Sequence, residues 1–177
     1  MRLLVLSTVL ALVAAVATYQ VLDDDPADPP GVELTPSEEL PGADEVAFTT
    51  FDGESVALRT LRGTPTVVNF FASTCAPCVK EMPAIEEVHQ ALGSEVAFLG
   101  LAVQDRRSDA RALVDRTGVT YRTALDPDGS VLNALEGILL PTTVLLDADG
   151  EVVARHTGEL TAEELRSLVV ESFDLSA

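Results

Sequence analysis

The chain has 177 residues, with 11 basic against 29 acidic side chains, a formal charge of −18, two cysteines and no tryptophan. That length suits one domain with a real core, and the acidic excess argues against nucleic acid as a partner, because phosphates would repel it. One cysteine pair with two distant histidines argues against structural zinc, which needs two cysteine pairs or a cysteine pair with a close histidine pair.

Residues 1–22 form an export segment: Arg2, then Leu3 to Leu22 without charge, then Asp23-Asp24-Asp25. About 20 uncharged residues suffice to cross a bilayer as a helix, and the charge asymmetry leaves the N-terminus in the cytoplasm. Ala15-Val16-Ala17 also offers a small-x-small cleavage site. Hydrophobicity continuing to Leu22 favours an uncleaved membrane anchor over a form secreted after cleavage near Ala17. Under either reading the rest of the chain lies outside the cytoplasmic membrane, where disulfides form and persist.

Residues 23–45 hold nine acidic residues, no basic one and five of the ten prolines. Such a stretch buries too little apolar surface to order itself and is expected to be an extended, disordered linker. Residues 46–177 remain as the folded domain, with 20 acidic and 10 basic residues. Its acidity reads first as a solvated surface and second as attraction to a basic partner.

Within that domain Val46 to Phe51, Asp52-Gly53 and Ser55 to Leu58 read as a hairpin. Thr66 to Phe71 (TVVNFF) is rich in β-branched and aromatic residues and predicts a buried strand. From Pro77 to about Leu92 the positions Val79, Met82, Ile85, Val88 and Leu92 recur at helical spacing, with Gly93 as a stop. Pro83 falls inside this helix and predicts a kink or a local break in its hydrogen-bond ladder.

Val96 to Val103 is nearly all apolar, as in a strand covered on both faces. Ser108 to Thr117 predicts a helix ended by Gly118, and Asp126 to Leu135 a turn and a short helix. Thr142 to Leu146 and Glu151 to His156 predict strands joined by the turn Asp147-Ala148-Asp149-Gly150. Thr161 to Glu164 is a capping box opening the last helix, with Leu165, Leu168 and Val169 inward. The expected order is β-hairpin, β, α, β, α, α, β, β, α. That order implies an α/β fold with a mixed central sheet and helices on both faces. His89 and His156 read as surface residues.

Both cysteines lie in Cys75-Ala76-Pro77-Cys78, between the buried strand and the helix. Covalent haem would need His after Cys78, and Val79 stands there. A structural disulfide closed over two residues constrains almost nothing. At a helix mouth, by contrast, unpaired N–H groups and the helix dipole favour an anion, and a thiolate is one. Pro77 suits the first turn, where its missing donor would have gone unpaired.

The motifs Val67-Val68-Asn69-Phe70, Cys75-Ala76-Pro77-Cys78, Lys80-Glu81-Met82-Pro83, Gly137 to Thr143 and Asp147 to Gly150 occur in that order. Together they resemble the thioredoxin family, and more closely its TlpA/ResA-like branch of membrane-tethered thiol-disulfide oxidoreductases, over residues 45–174. The resemblance implies a thioredoxin-like fold with an N-terminal hairpin extension. It also implies that Cys75 attacks, that Cys78 resolves the mixed disulfide, and that Pro141 is a cis-proline beside the cysteines.

By the same resemblance Glu81 is the acid placed near the thiols, where a carboxylate raises their pKa and relays a proton. A solvated helix acid is its equal alternative. Thr74, Ala76, Pro77, Leu140 and Pro141 would then line the surface that meets a substrate. The branch usually carries Trp at the positions of Phe71 and Thr74, and that departure bears on partner recognition and redox potential.

The implied function is extracytoplasmic disulfide exchange with protein substrates, with the Cys75–Cys78 couple as the sole redox group and no other cofactor or metal. Partners would be protein thiols or disulfides, such as apocytochrome c or exported proteins, and a membrane electron donor or acceptor. The role is either reductant in cytochrome c maturation or oxidant in the folding of exported proteins. Two other readings stand beside it. A copper-handling protein on this fold usually separates its cysteines by three residues and has a nearby His. A thiol peroxidase carries Thr three residues before its cysteine, where this chain has Ala72.

Overall fold

A computed structural model describes residue 42 and residues 45–175. The expected anchor (1–22) and nearly all of the linker (23–45) lie outside the described residues. Among the described residues no helix is long and apolar enough to cross a membrane.

The domain opens with a hairpin, β1 (Ala47–Thr49) and β2 (Ser55–Ala57), paired antiparallel, followed by a 3-10 turn over Leu58–Leu61. There follow β3 (Thr66–Phe71), α1 (Ala76–Leu92), β4 (Ala97–Val103), α2 (Arg107–Thr117) and β5 (Arg122–Asp126). The chain closes with α3 (Ser130–Ala134), β6 (Thr142–Leu146), β7 (Val152–Thr157) and α4 (Ala162–Ser172). The strands form one sheet in the order β2-β1-β5-β4-β3-β6-β7. β3, β4 and β5 run parallel, while β6, β7 and the hairpin are antiparallel, so the sheet is mixed.

The crossovers β3-α1-β4 and β4-α2-β5 step the same way along the sheet, so the right-handed rule puts α1 and α2 on one face. One apolar cluster bears this out: Val67 and Phe71 of β3 pack with Met82, Ile85 and Val88, with Ala110 and Leu113, and with Leu165 and Val169 of α4. The alternate β3 residues Val68 and Phe70 enter a second cluster with Leu58, Val131 and Leu132. Every residue of β3 is buried. That two-sided burial is why TVVNFF reads as an unbroken apolar run rather than an alternation.

Local signals end the elements where the sequence placed them. Gly118 closes α2 in the left-handed region at φ 69°. Thr161 and Glu164 make both hydrogen bonds of the capping box. Asp147 Oδ1 accepts from the N–H groups of Asp149 and Glu151 across the hairpin turn. α1 continues through Pro83, which stands on its exposed side, so the ladder lacks only the donor that proline cannot supply.

Two expectations are corrected. β5 was absent from the predicted order, because Arg122 and Thr123 give it an exposed, polar start and only Ala124-Leu125-Asp126 is buried. Its neighbour β4, hydrogen-bonded from Leu99↔Arg122 to Val103↔Asp126, makes the strand. His89, expected at the surface, is half-buried, its ring edge-on to Phe98 and Tyr121 at centroid distances of 5.2 and 6.0 Å. Its place on α1 turns it toward β4 and the start of β5.

Candidate active site

Cys75 and Cys78 form a disulfide at the junction of β3 and α1, with Cα atoms 5.3 Å apart. The junction is a tight turn in which Cys75 N–H donates to Ala72 C=O at 3.0 Å. Cys75 is the N-cap of α1, and its sulfur accepts the N–H of Cys78 at 3.3 Å. The helix opening therefore already aims a backbone donor at this sulfur, and that donor favours a thiolate once the bond is reduced. The two sulfurs differ in access: Cys75 is half-buried, whereas Cys78 is 0% exposed.

A third residue fixes the approach to Cys75, and no sequence signal had marked it. Asp105, just past β4, accepts the Ser73 N–H at 2.6 Å and the Ser73 hydroxyl at 2.9 Å. Its Oδ1 also accepts the Arg106 N–H at 2.8 Å. The carboxylate thus clamps the residue two before Cys75. The clamp spans 32 positions of sequence, and only the parallel pairing of β3 with β4 brings its halves together.

Glu81, one turn past Cys78, is buried at 1% exposure rather than solvated. Its Oε1 accepts from Asn69 Nδ2 at 2.7 Å and its Oε2 from Leu160 N–H at 3.2 Å. Burial pushes its carboxyl up to about 7; the two donors oppose this and Glu159 adds a little repulsion. A carboxyl poised near neutrality accepts and returns a proton with little driving force either way. Asn69 Nδ2 also donates to Thr143 Oγ1 at 3.1 Å, while Asn69 Oδ1 has no partner among the described residues. An orphaned buried acceptor costs on the order of 1–3 kcal/mol, a cost this arrangement accepts to keep the amide turned toward Glu81. Above them Lys80 Nζ pairs with Glu159 at the surface.

The opposite wall comes from the start of β6. The register Phe70↔Thr142 sets Pro141 opposite Phe71, the residue that ends β3 before the cysteine turn. The Leu140–Pro141 bond is cis. Pro141 is buried and its C=O accepts from Gly158 N–H at 2.9 Å, while Leu140 is half-buried and packs, like Cys75, against the α1 side of the core. Thr74, Ala76 and Pro77 are exposed around Cys75. The fold thus gathers all eight residues expected from the sequence at the C-terminal end of β3.

A family model described as Redoxin matches residues 36–169. The chain belongs to the Redoxin family. Within that family it is similar to thiol-disulfide oxidoreductase ResA of Halalkalibacterium halodurans, 32% identical over 122 residues that cover 67% of this chain and 69% of that protein. The solved structure of MTB DsbF, 27% identical, matches with a TM-score of 0.68 over 75% of this chain and 98% of that one. A DsbF homologue from Corynebacterium diphtheriae, 28% identical, matches at 0.65 over 82% and 97%. This Redoxin chain has a thioredoxin-like fold and is a thiol-disulfide oxidoreductase of the ResA-like branch, and it carries the Cys75–Cys78 disulfide.

Proposed function

We propose that this protein exchanges disulfides with polypeptides outside the cytoplasmic membrane, with Cys75 as the attacking thiol. The asymmetry of the couple carries the reading: the reachable sulfur caps a helix, and the other is fully buried one helical turn before a buried acid. Acting as a reductant, the Cys75 thiolate forms a bond to one substrate sulfur, and the other substrate sulfur leaves as a thiolate that takes up a proton. Cys78, giving its proton to Glu81, then attacks Cys75 Sγ and expels the first substrate sulfur. The protein ends oxidised by two electrons, and run backwards the same steps oxidise a dithiol.

Glu81 moves the proton at Cys78, and Leu140 offers backbone groups to the substrate, since Pro141 has no N–H and its C=O is already engaged. No cofactor beyond the couple takes part. The N-terminal segment, residues 3–22, supports a membrane tether, with release after cleavage near Ala17 as the alternative. The partners are protein thiols and disulfides and a membrane electron donor or acceptor. Reduction of apocytochrome c before haem attachment is the preferred role, and oxidation of exported proteins the second.

Copper handling is less well supported, because two intervening residues and a fully buried Cys78 leave little room for a shared ion. The deciding test is Cys78→Ser: a mixed disulfide should accumulate through Cys75 with a protein substrate. Absence of any trapped adduct, together with stoichiometric Cu(I) binding, would reverse the assignment. The reduction potential separates the two roles: roughly −300 mV favours the reductant and roughly −120 mV the oxidant.

A further inference from the structure

The loop between α3 and β6 carries two exposed large apolar side chains in succession, Ile138 at 86% and Leu139 at 64%. Among the described residues the other exposed large apolar side chains, Val152 and Val153 at the start of β7, are less open at 40% and 44%. A single exposed apolar residue is ordinary, but a contiguous apolar patch marks a contact surface.

This loop is held from both sides. Gly137 N–H donates to Leu132 C=O at 2.8 Å, and the backbone there lies so close to Leu132 that an added Cβ would stand 2.2 Å from its Cδ1. Arg155 Nε donates to Leu135 C=O at 2.9 Å and its guanidinium reaches Glu136 at 3.1 Å. The Thr142 hydroxyl donates to Leu139 C=O at 2.7 Å. Ile138 and Leu139 therefore point outward by construction.

Their position says what covers them. Leu140, next in line, packs against both core clusters, the first of which Cys75 also packs against, and Pro141 stands opposite Phe71. Around Cys75 itself the exposed residues of the turn, Thr74, Ala76 and Pro77, are small or compact. The bulky apolar surface at this end of the sheet thus lies on the loop, continuous with the wall a substrate must cross to reach Cys75. An extended chain advances roughly 3.3 Å per residue, so side chains within a few positions of the substrate's cysteine can reach the loop.

We propose that Ile138 and Leu139 form a docking ledge selecting polypeptide disulfides whose cysteine is flanked by a large aliphatic or aromatic side chain. The proposal rests on Cys75 being the attacking thiol. Its test uses the reduced full-length protein with three substrates: a peptide disulfide with Leu beside its cysteine, the same peptide with Ser there, and hydroxyethyl disulfide. Wild type, consumed as a stoichiometric reductant, should prefer the Leu peptide by about 10-fold or more in the second-order rate constant, the preference that burying one such side chain confers. The double variant Ile138→Ser, Leu139→Ser should lose that preference and keep its rate on hydroxyethyl disulfide. Both positions are exposed, so the fold should survive; Leu139→Ala alone should give an intermediate preference.

Reduction of all three substrates without discrimination overturns the ledge and leaves the thiol assignment standing. No reduction of any overturns both. Unchanged peptide preference in the double variant overturns the ledge too. If that variant instead loses binding to phosphatidylglycerol vesicles, or a self-association seen in wild type, the surface serves a membrane or a second copy.

Discussion

Glu81 and Asp126 are the buried carboxylates among the described residues, at 1% and 0% exposure, and burial raises the pKa of both. Their surroundings differ. Asp126 ends β5 and accepts the N–H groups of Val131 and Leu132 at 3.2 and 2.9 Å, so it serves the start of α3. Its partners are backbone donors that would otherwise be orphaned. Glu81 is held by one backbone N–H and by the amide of Asn69, whose own oxygen is left without a partner. A buried acid that satisfies a helix end is part of the scaffold; one turn past Cys78, Glu81 has the raised pKa that the proposed proton transfer asks for.

The widest separation between the two acids should appear in the pH dependence of stability. Folding raises the Glu81 pKa from 4.5 to about 7, so between those values the folded chain keeps a proton that the unfolded chain has released. Stability therefore declines as pH rises through that window, by up to about 3 kcal/mol from this group. Denaturant titrations at pH 4.5 and 8 should show most of the decline gone in Glu81→Gln. An unchanged decline would show that Glu81 does not titrate in that window.

Asp126→Ala should cost about 2–3 kcal/mol at pH 7, because two N–H groups lose their acceptor in the core. Alkylation of Cys75 in the folded, reduced variant should keep its wild-type rate; an altered rate would show that Asp126 also acts on the cysteines. Asn69→Ala removes a donor to the carboxylate, and should raise the Glu81 pKa further by about one unit. NMR titration of the Glu81 carboxyl carbon reads this directly, and a lower value would show that the amide is not its support. The smallest effect is expected at Asp105→Ala, which frees Ser73. Insulin reduction should slow by about 3-fold while the Glu81 titration stays in place.

Much of this was legible in the sequence where the signal is local. The TVVNFF run, the Cys75-Ala76-Pro77-Cys78 junction and the Thr161–Glu164 box each specify their structure within a few residues. β5 was not, because its strand character comes from β4 and not from Arg122-Thr123. Nor was the burial of Glu81: one helical acid among several on α1 looks like its neighbours until Asn69 and Leu160, 12 and 79 positions away, close over it. The Asp105 clamp was hidden for the same reason. What sequence conveys well is which backbone groups need an ending; what it conveys poorly is which distant side chain will supply one.

The unequal access of the two sulfurs has a temporal consequence. In the exchange we propose, a partner is seized at the outer atom and let go by the inner one, so each captured molecule sits beside its own release mechanism. On that proposal the linked intermediate carries a clock, wound by the protein and set by how quickly a proton leaves the sealed thiol. Slowing that one departure would turn a transient handshake into a grip.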